Sequence, residues 1–450
     1  MQSILHENKH TLKLAFPIIV SHLSQMLLGL TDTLMVGQLG TVELAGVALM
    51  NILIHLVFVL GVGLAIAVSV QVSHQHGSGQ ETGGEAILLH GIILSLILGG
   101  LVWLGMQSSM PALYLLKQPT EVLAIFPQYL KWIAPSMAFM MPIMIFKSYA
   151  EAQNRPWGVF WVQIAGVALN IGLNALLIFG HWGFPRMELE GAGLATFIAR
   201  ILTLLALGNF LFRTTPTLTL KGLSFDRREC KSLLRLATPI SAQMLMEFGA
   251  FSASAILIGQ LGSLPLAAHQ IALTCATTTY MIPMGLSNAV SIRVGHALGA
   301  QAIDRARHIV AGAQGLTLLI MGTFAILYLS MGTMIARAFN PDPELIALAV
   351  SLLSIVGIFQ LFDGIQVVSV GALRAMKDVK IPTLLCFVGY WLISFPFGVW
   401  MGFGLQWGVR GFWTGLATGL TIAATSMSLR LIWLLRRDPY PETIEDQSLI

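Results

Sequence analysis

Residues 14–18, Leu-Ala-Phe-Pro-Ile, return at residues 236–240 as Leu-Ala-Thr-Pro-Ile. In the same way, residues 36–40, Val-Gly-Gln-Leu-Gly, return at residues 258–262 as Ile-Gly-Gln-Leu-Gly. Both pairs are separated by 222 positions, and no gap is needed between them. An internal repeat of this length indicates that the chain consists of two halves built on one plan.

The composition identifies the environment of both halves as a lipid bilayer. Of the 450 residues, 56% are hydrophobic and only 10% are charged, whereas soluble domains have roughly 25% charged residues. Apolar segments long enough to cross a core of about 30 Å recur along the chain, and they are continuous enough to be helices rather than barrel strands. We predict an all-α integral membrane protein with twelve transmembrane helices in two six-helix bundles. The predicted spans are residues 12–36, 45–72, 87–110, 125–150, 156–180, 190–213, 233–258, 266–292, 308–332, 345–372, 382–404 and 410–435.

The loops predict the orientation and the domains. Most Lys and Arg residues fall in one alternate set of loops, which places both termini in the cytoplasm and requires an even number of spans. We therefore predict an N-terminal bundle at 1–213, a cytoplasmic linker at 214–232, a C-terminal bundle at 233–437 and a cytoplasmic tail at 438–450. The net charge of +4 follows this distribution and does not indicate nucleic-acid binding.

Three acidic residues, Asp32, Glu247 and Asp363, fall inside predicted spans. A charge at mid-membrane costs about 2.5–3.5 kcal/mol even on the lower scale, so such a group faces a cavity, binds a cation or is protonated. The alternative is a polar residue that holds helices together. None of the three has an acidic residue at its equivalent position in the other half, which favours a specialised role over an architectural one.

We expect a polar site in the N-terminal half. Asn170 and Asn174 are four residues apart and therefore share one helix face. With Asp32 they are expected to form this site, to which we add Gln25, the equivalent of Glu247 in the repeat. A pair of asparagines that only hydrogen-bonds between packed helices is the competing explanation.

We expect a second polar site in the C-terminal half. Gln360, Asp363 and Gln366 recur every three residues on the tenth span, and Glu247 on the seventh span is expected to face them. Two carboxylates at one low-dielectric site cannot both be ionised without a counterion, so one takes a proton or both share a cation. This pattern is typical of an ion-coupled protein.

Flexible and aromatic side chains are candidates for a cavity that accepts compounds of many shapes. The competing explanation for each of them is contact with lipid. The candidates are Met141, Met244, Tyr390 and Phe359, together with Gln360 and Gln366.

At this point the chain resembles the multidrug and toxic compound extrusion (MATE) transporters, in particular the NorM-like branch. The resemblance covers essentially the whole chain, and its motifs are specific in combination. They are residues 15–17 (Ala-Phe-Pro), 31–37 (Thr-Asp-Thr-Leu-Met-Val-Gly), 239–240 with Glu247, 259–262, 362–366 (Phe-Asp-Gly-Ile-Gln) and 371–374 (Gly-Ala-Leu-Arg).

The resemblance implies two six-helix bundles in the bacterial cytoplasmic membrane that export cationic, amphipathic drugs in exchange for H⁺ or Na⁺. It implies a cation site at Glu247 and Asp363, where Na⁺ would bind, and a polar site at Asp32, Asn170 and Asn174. We predict that all three acids, Glu247, Asp363 and Asp32, take part in coupling transport to the cation. The family often has a tyrosine one turn before the aspartate of the tenth span, whereas this chain has Phe359, which favours H⁺.

The resemblance implies no cofactor besides the coupling ion and partners limited to small molecules, the cation and lipid. Nothing in the sequence demands more than a monomer. Two alternatives stay open, a flippase for a lipid-linked precursor and, from another class, an intramembrane enzyme, although no nucleophile–base pair or metal set is apparent at membrane depth.

Overall fold

A computed structural model describes residues 2–79, 84–108, 120–215 and 225–437. Within these ranges the chain is almost entirely helical and contains no strand. The helices are α1 (Gln2–Gly37), α2 (Thr41–Gly77), α3 (Gly84–Gln107), α4 (Thr120–Ala152), α5 (Pro156–Phe179), α6 (Glu188–Thr214), α7 (Arg227–Gly259), α8 (Ser263–Gly299), α9 (Ile303–Phe339), α10 (Pro343–Ala375), α11 (Lys380–Gly404) and α12 (Val409–Arg436).

The helix ends follow local sequence signals. Pro156 and Pro343 begin α5 and α10, where the missing N–H of proline has no helical partner to lose. The Asp342 side chain accepts a hydrogen bond of 3.0 Å from the backbone N–H of Glu344 and so caps α10. Gly180 ends α5 in the left-handed conformation at φ 73°.

The repeat is visible in these bounds, because α2 and α8 begin and end at positions separated by the same 222 residues. The predicted all-α membrane architecture is confirmed. Eleven of the twelve helices in the described residues are long and apolar enough to cross a bilayer. The exception is α8, which has the length but includes a polar run from Thr277 to Thr279. The tail at 438–450 and most of the linker, residues 216–224, lie outside the described residues.

Contacts divide the chain into two compact units. The N unit comprises Phe16–Ser241, and the C unit comprises Met1–Ala15 with Ala242–Ile450. Both boundaries fall inside helices, α1 and α7, and each lies two residues from a helix proline, Pro17 or Pro239. The boundaries expected from the sequence lie instead in the central linker, and that division stays a prediction.

Each unit is organised around one helix. In the N unit α4 packs against α2, α3 and α6, and in the C unit the equivalent helix α10 packs against α8, α9 and α12. Phe126 and Met137 of α4 are fully buried in one core, and Trp413 of α12 is fully buried in the other. These cores fix the helices on which the polar residues lie.

The first residues of α1 belong to the C unit, and the first residues of α7 belong to the N unit. These two segments are attached to their units by different interactions. In the C unit Glu7 forms an ion pair with Arg293 and a second one of 3.2 Å with Arg305. In the N unit the residue equivalent to Arg293 is Gln71, whose Nε2 donates a neutral hydrogen bond of 2.9 Å to Ser232 Oγ. The first attachment is therefore ionic and the second is neutral.

Candidate functional site

A chain of polar side chains surrounds Asp32 in the N unit. Asn174 Nδ2 donates to Asp32 Oδ1 over 2.5 Å and to Asn170 Oδ1 over 3.0 Å. Asn170 Nδ2 in turn donates to Thr196 Oγ1 over 3.4 Å. The structure therefore brings Asp32, Asn170 and Asn174 together, as the sequence suggested, and adds Thr196 of α6.

This chain borders a cavity of about 260 Å³ inside the N unit. Gln25 lines it as well, so all four residues of the expected N-terminal site lie at one place. Met140 and Met144 supply the flexible apolar wall, whereas Met141 is buried at 1% exposure and is not part of this lining. The cavity has the polar and apolar character that an amphipathic ligand needs.

Arg200 of α6 also lines this cavity. Its Nη1 donates to Ser136 Oγ over 2.5 Å and contacts Met137 Sδ at 3.8 Å. The sequence analysis did not assign this arginine to a site. Its position four residues after Thr196, hence on the same helix face, was the available signal.

Glu247 of α7 is the centre of the polar cluster in the C unit. Its Oε1 accepts from Gln366 Nε2 at 3.0 Å, from Gln243 Nε2 at 3.2 Å and from Cys386 Sγ at 3.4 Å. No donor among the described residues reaches its other oxygen, Oε2. One oxygen is thus fixed by the protein and the other is available.

Gln243 connects Glu247 to a positive charge. Arg374 Nη2 donates to Gln243 Oε1 over 3.4 Å, while Gln243 Nε2 donates to Glu247. Arg374 follows Asp363 on α10 by eleven residues, or three helical turns, so a same-face argument would have found it. Gln243 precedes Glu247 by four residues and was equally accessible to that argument.

Asp363 lies close to this cluster at 8% exposure and interacts electrostatically with Glu247. Among the described residues it has neither a hydrogen-bond donor nor an ion-pair partner. Two amide oxygens on the same helix, Gln360 Oε1 and Gln366 Oε1, are also buried without a donor. The cluster therefore presents several oxygens that have no hydrogen-bond donor in the described parts of the chain.

The aromatic candidates lie around the same cluster. Phe359 packs its ring against Phe251 at 6.0 Å and Trp413 at 5.9 Å between centroids. Tyr390 is 2% exposed and lies in a π-helical segment of α11, and it interacts electrostatically with Glu247 and Asp363. Tyr280 of α8, which sequence reasoning missed, interacts with the same two acids.

The remaining candidates lie at the margin. Gln360 Nε2 donates to Thr279 Oγ1, which joins α10 to α8. Met244 is half-buried on α7, three residues before Glu247. No group of three or more His, Cys, Asp or Glu suited to a metal occurs in the described parts of the chain.

A family model matches this chain and identifies the class of protein to which it belongs. The family model for MatE matches residues 17–176 and 239–400, and the chain belongs to this family. The match falls on both halves of the repeat.

Curated relatives and solved structures agree with this assignment. The chain is 33% identical to a probable multidrug resistance protein NorM of Idiomarina loihiensis, with 94% of each chain covered. It is also 33% identical to the multidrug resistance protein PmpM of Pseudomonas aeruginosa, with 96% of this chain and 92% of the relative covered. A Vibrio cholerae MATE transporter has a TM-score of 0.88 at 21% identity, covering 97% of this chain and 98% of that chain, and shares the fold.

The resemblance stated from the sequence motifs is therefore confirmed. The relatives are transporters, so the expectation of a transport protein rather than an enzyme is also confirmed. The protein is a multi-pass membrane protein of a multidrug transporter family, and its substrates are small molecules.

Proposed function

We propose that this protein is a secondary antiporter that exports cationic, amphipathic compounds in exchange for H⁺ or Na⁺. The observation that supports the proposal is the unequal use of the oxygens of Glu247. Oε1 accepts three hydrogen bonds, whereas Oε2 and the nearby Asp363 carboxylate have no partner among the described residues. An acid held in place by one oxygen can bind and release a cation with the other.

The charges of the cluster limit what it binds. Glu247 and Asp363 supply two negative charges, and Arg374, bridged to Glu247 through Gln243, supplies one positive charge. One negative charge is left, and in a low-dielectric site it requires a proton or a monovalent cation. The cluster therefore suits the uptake of about one coupling cation.

The drug and the coupling cation compete for this negative charge, and this competition couples their fluxes. With the transporter open to the outside, the coupling cation enters and the drug leaves. With the transporter open to the cytoplasm, a cationic drug binds and the ion leaves. Because each cation lowers the affinity for the other, the gradient of one drives the transport of the other.

Phe359 bears on the identity of the ion. Its ring packs between Phe251 and Trp413 and offers no hydroxyl oxygen at that place. A hard cation such as Na⁺ needs several oxygen ligands, whereas a proton needs only one carboxylate. We therefore propose H⁺ as the coupling ion, with Na⁺ as the alternative that the orphaned oxygens of Gln360 and Gln366 would serve.

The location completes the proposal. The distribution of Lys and Arg supports cytoplasmic locations for both termini, and the bacterial relatives support the cytoplasmic membrane. We propose a monomer that works without a cofactor. The curated relatives named above are multidrug resistance proteins, which favours this function over the flippase and the intramembrane enzyme.

Efflux from proteoliposomes tests the proposal. A permanently cationic dye is loaded, and either a pH gradient or a Na⁺ gradient is imposed on wild type, Glu247→Gln and Asp363→Asn. We expect one gradient to drive efflux in wild type and neither to drive it in the variants. Glu190→Gln is the matched control, because Glu190 is an acid paired with Lys131 away from both clusters. Efflux in the Glu247 and Asp363 variants equal to that of wild type would reject the proposal.

A further inference from the structure

The cavity of the N unit contains two opposite charges that do not neutralise each other directly. Asp32 and Arg200 both line it, and they attract each other electrostatically. They form no ion pair within 4.0 Å, since Asp32 accepts from Asn174 and Arg200 donates to Ser136. Each charge thus has its own hydrogen-bond partner, and both border the same cavity.

The guanidinium of Arg200 has unused donors. Of its three nitrogens only Nη1 has a partner among the described residues, namely Ser136 and Met137. The N–H groups on Nε and Nη2 have none. An arginine presents its donors in a rigid fork that matches a carboxylate, and unmet donors in a cavity of this kind favour an anionic partner.

The rest of the lining defines what the partner must look like. Phe58, Ile133, Met140 and Met144 form apolar wall, while Tyr129 and Gln163 add polar groups. A compound that fits has an apolar body, a cationic group for Asp32 and a carboxylate for Arg200. A purely cationic compound would leave the arginine without a partner and would meet its repulsion.

We propose that Arg200 is a specificity-determining residue that binds the carboxylate of zwitterionic amphiphiles in the N-unit cavity. The proposal rests on the proposed export function and names a substrate class for one of its two clusters. Asp32 then binds the cationic end of the same molecule, and the two protein charges are both neutralised when the site is filled. Compounds that have only a positive charge depend on the acids of the C unit instead.

A matched pair of dyes tests this assignment without a gradient. The rhodamine free acid is a zwitterion at neutral pH, and its methyl ester is a cation of nearly the same shape. Equilibrium binding of both dyes to the purified protein in detergent is measured by fluorescence anisotropy. The proteins are wild type, Arg200→Met, Arg200→Lys and the control Lys131→Gln, whose residue lies outside the cavity.

In Arg200→Met we expect the affinity for the free acid to fall about tenfold or more, which is the loss of charge-assisted hydrogen bonds. The affinity for the ester should stay equal or rise. Arg200→Lys should restore part of the preference for the acid, because the charge remains while the fork is lost. Lys131→Gln should bind both dyes as wild type does.

Three results would overturn the proposal. One is an equal change for both dyes in Arg200→Met, another is no change for either dye, and the third is wild type binding the ester about tenfold more tightly than the acid. The last comparison needs no variant and decides the matter even if Arg200→Met fails to fold. Because binding is measured without ion gradients, failure of the antiport proposal would appear separately, as efflux that ignores both gradients.

Discussion

The two units of this transporter have one scaffold and opposite charge properties. In the N unit Asp32 shares its cavity with Arg200, so the charges sum to zero. In the C unit the two acids Glu247 and Asp363 are accompanied by one basic residue, Arg374, which is bridged to Glu247 through Gln243, so one negative charge is in excess. Four of these five positions have no charged equivalent in the other half of the repeat, and the exception is Arg374, which corresponds to Glu151 at the end of α4. Duplication thus supplied the helices, and later substitutions gave each unit its own electrostatic character.

We infer from this difference that the two units have separate tasks, with Asp32 taking part in selection rather than in the cation coupling predicted from the sequence. A cluster with an excess negative charge needs a cation in every state in which no substrate charge is present. A neutral cavity needs none and can select compounds by shape and by the placement of their charges. We therefore regard the C unit as the place of ion coupling and the N unit as the place of selection.

Removing the excess negative charge of the C unit should have the largest effect on transport. In Glu247→Gln and in Asp363→Asn, gradient-driven efflux should fall to the level of protein-free liposomes, since no free carboxylate pair is left to exchange cations. Asp32→Asn should retain gradient-driven efflux of a permanently cationic dye. Efflux from proteoliposomes that contain each variant, measured side by side, tests this expectation. Loss of gradient-driven efflux in Asp32→Asn alone would show that the two units do not differ in this way.

The ionic attachment of α1 to the C unit should stabilise the fold more than the neutral attachment of α7 to the N unit. Glu7→Gln leaves the buried Arg293 without its counterion, which destabilises the fold by about 3–5 kcal/mol. Gln71→Leu removes a single neutral hydrogen bond, worth about 1 kcal/mol. Thermal unfolding in detergent, followed by size-exclusion chromatography, compares the two variants. A similar loss of melting temperature in both would show that the ionic attachment is no stronger than the neutral one.

Arg374 offers a finer test of the charge count. Arg374→Gln removes the positive charge next to Glu247, so the remaining acids hold a proton more tightly. The midpoint of the pH dependence of transport should move upward by about one pH unit. Lys377→Gln, which changes a nearby charge on the exposed end of this segment, should leave the midpoint in place. A downward shift in Arg374→Gln would contradict the assigned role.

The smallest expected effect concerns Cys386. Its thiol is a weak donor to Glu247 Oε1, which keeps two amide donors when the thiol is lost. In Cys386→Ala the pH midpoint should move by less than about half a unit, with full transport at the optimum. Loss of transport in this variant would mean that the thiol itself takes part in ion exchange.

The sequence predicted the architecture because its signals are strong and local. Long apolar segments, the repeat and the distribution of Lys and Arg each follow from the bilayer as solvent. The predicted spans nevertheless fell short of the helices, since α2 and α8 continue to Gly77 and Gly299. Hydropathy marks the part of a helix that lies in lipid and does not mark where the helix ends.

Some residues of the two polar sites were predicted from the sequence and others were missed, and this outcome has a physical reason. Asp32, Glu247 and Asp363 stand out because acids within spans are expensive, and Asn170 joins Asn174 through helix spacing. Arg200, Arg374 and Gln243 were missed as site residues, although helix spacing relates each of them to another residue of its site. The contacts that give them a role, such as that of Arg374 with Gln243, join helices distant in sequence and require the tertiary structure.

Ion coupling in the C unit is tested most directly by counting the ions that the protein releases when it binds substrate. Purified protein in weakly buffered detergent solution is mixed with a permanently cationic substrate, and released H⁺ is followed with a pH-sensitive dye, or Na⁺ with an ion-selective electrode. We expect release of about one cation per protein in wild type and in Asp32→Asn, and none in Asp363→Asn. Release that persists in Asp363→Asn and disappears in Asp32→Asn would mean that ion coupling takes place in the N unit and not at Glu247 and Asp363.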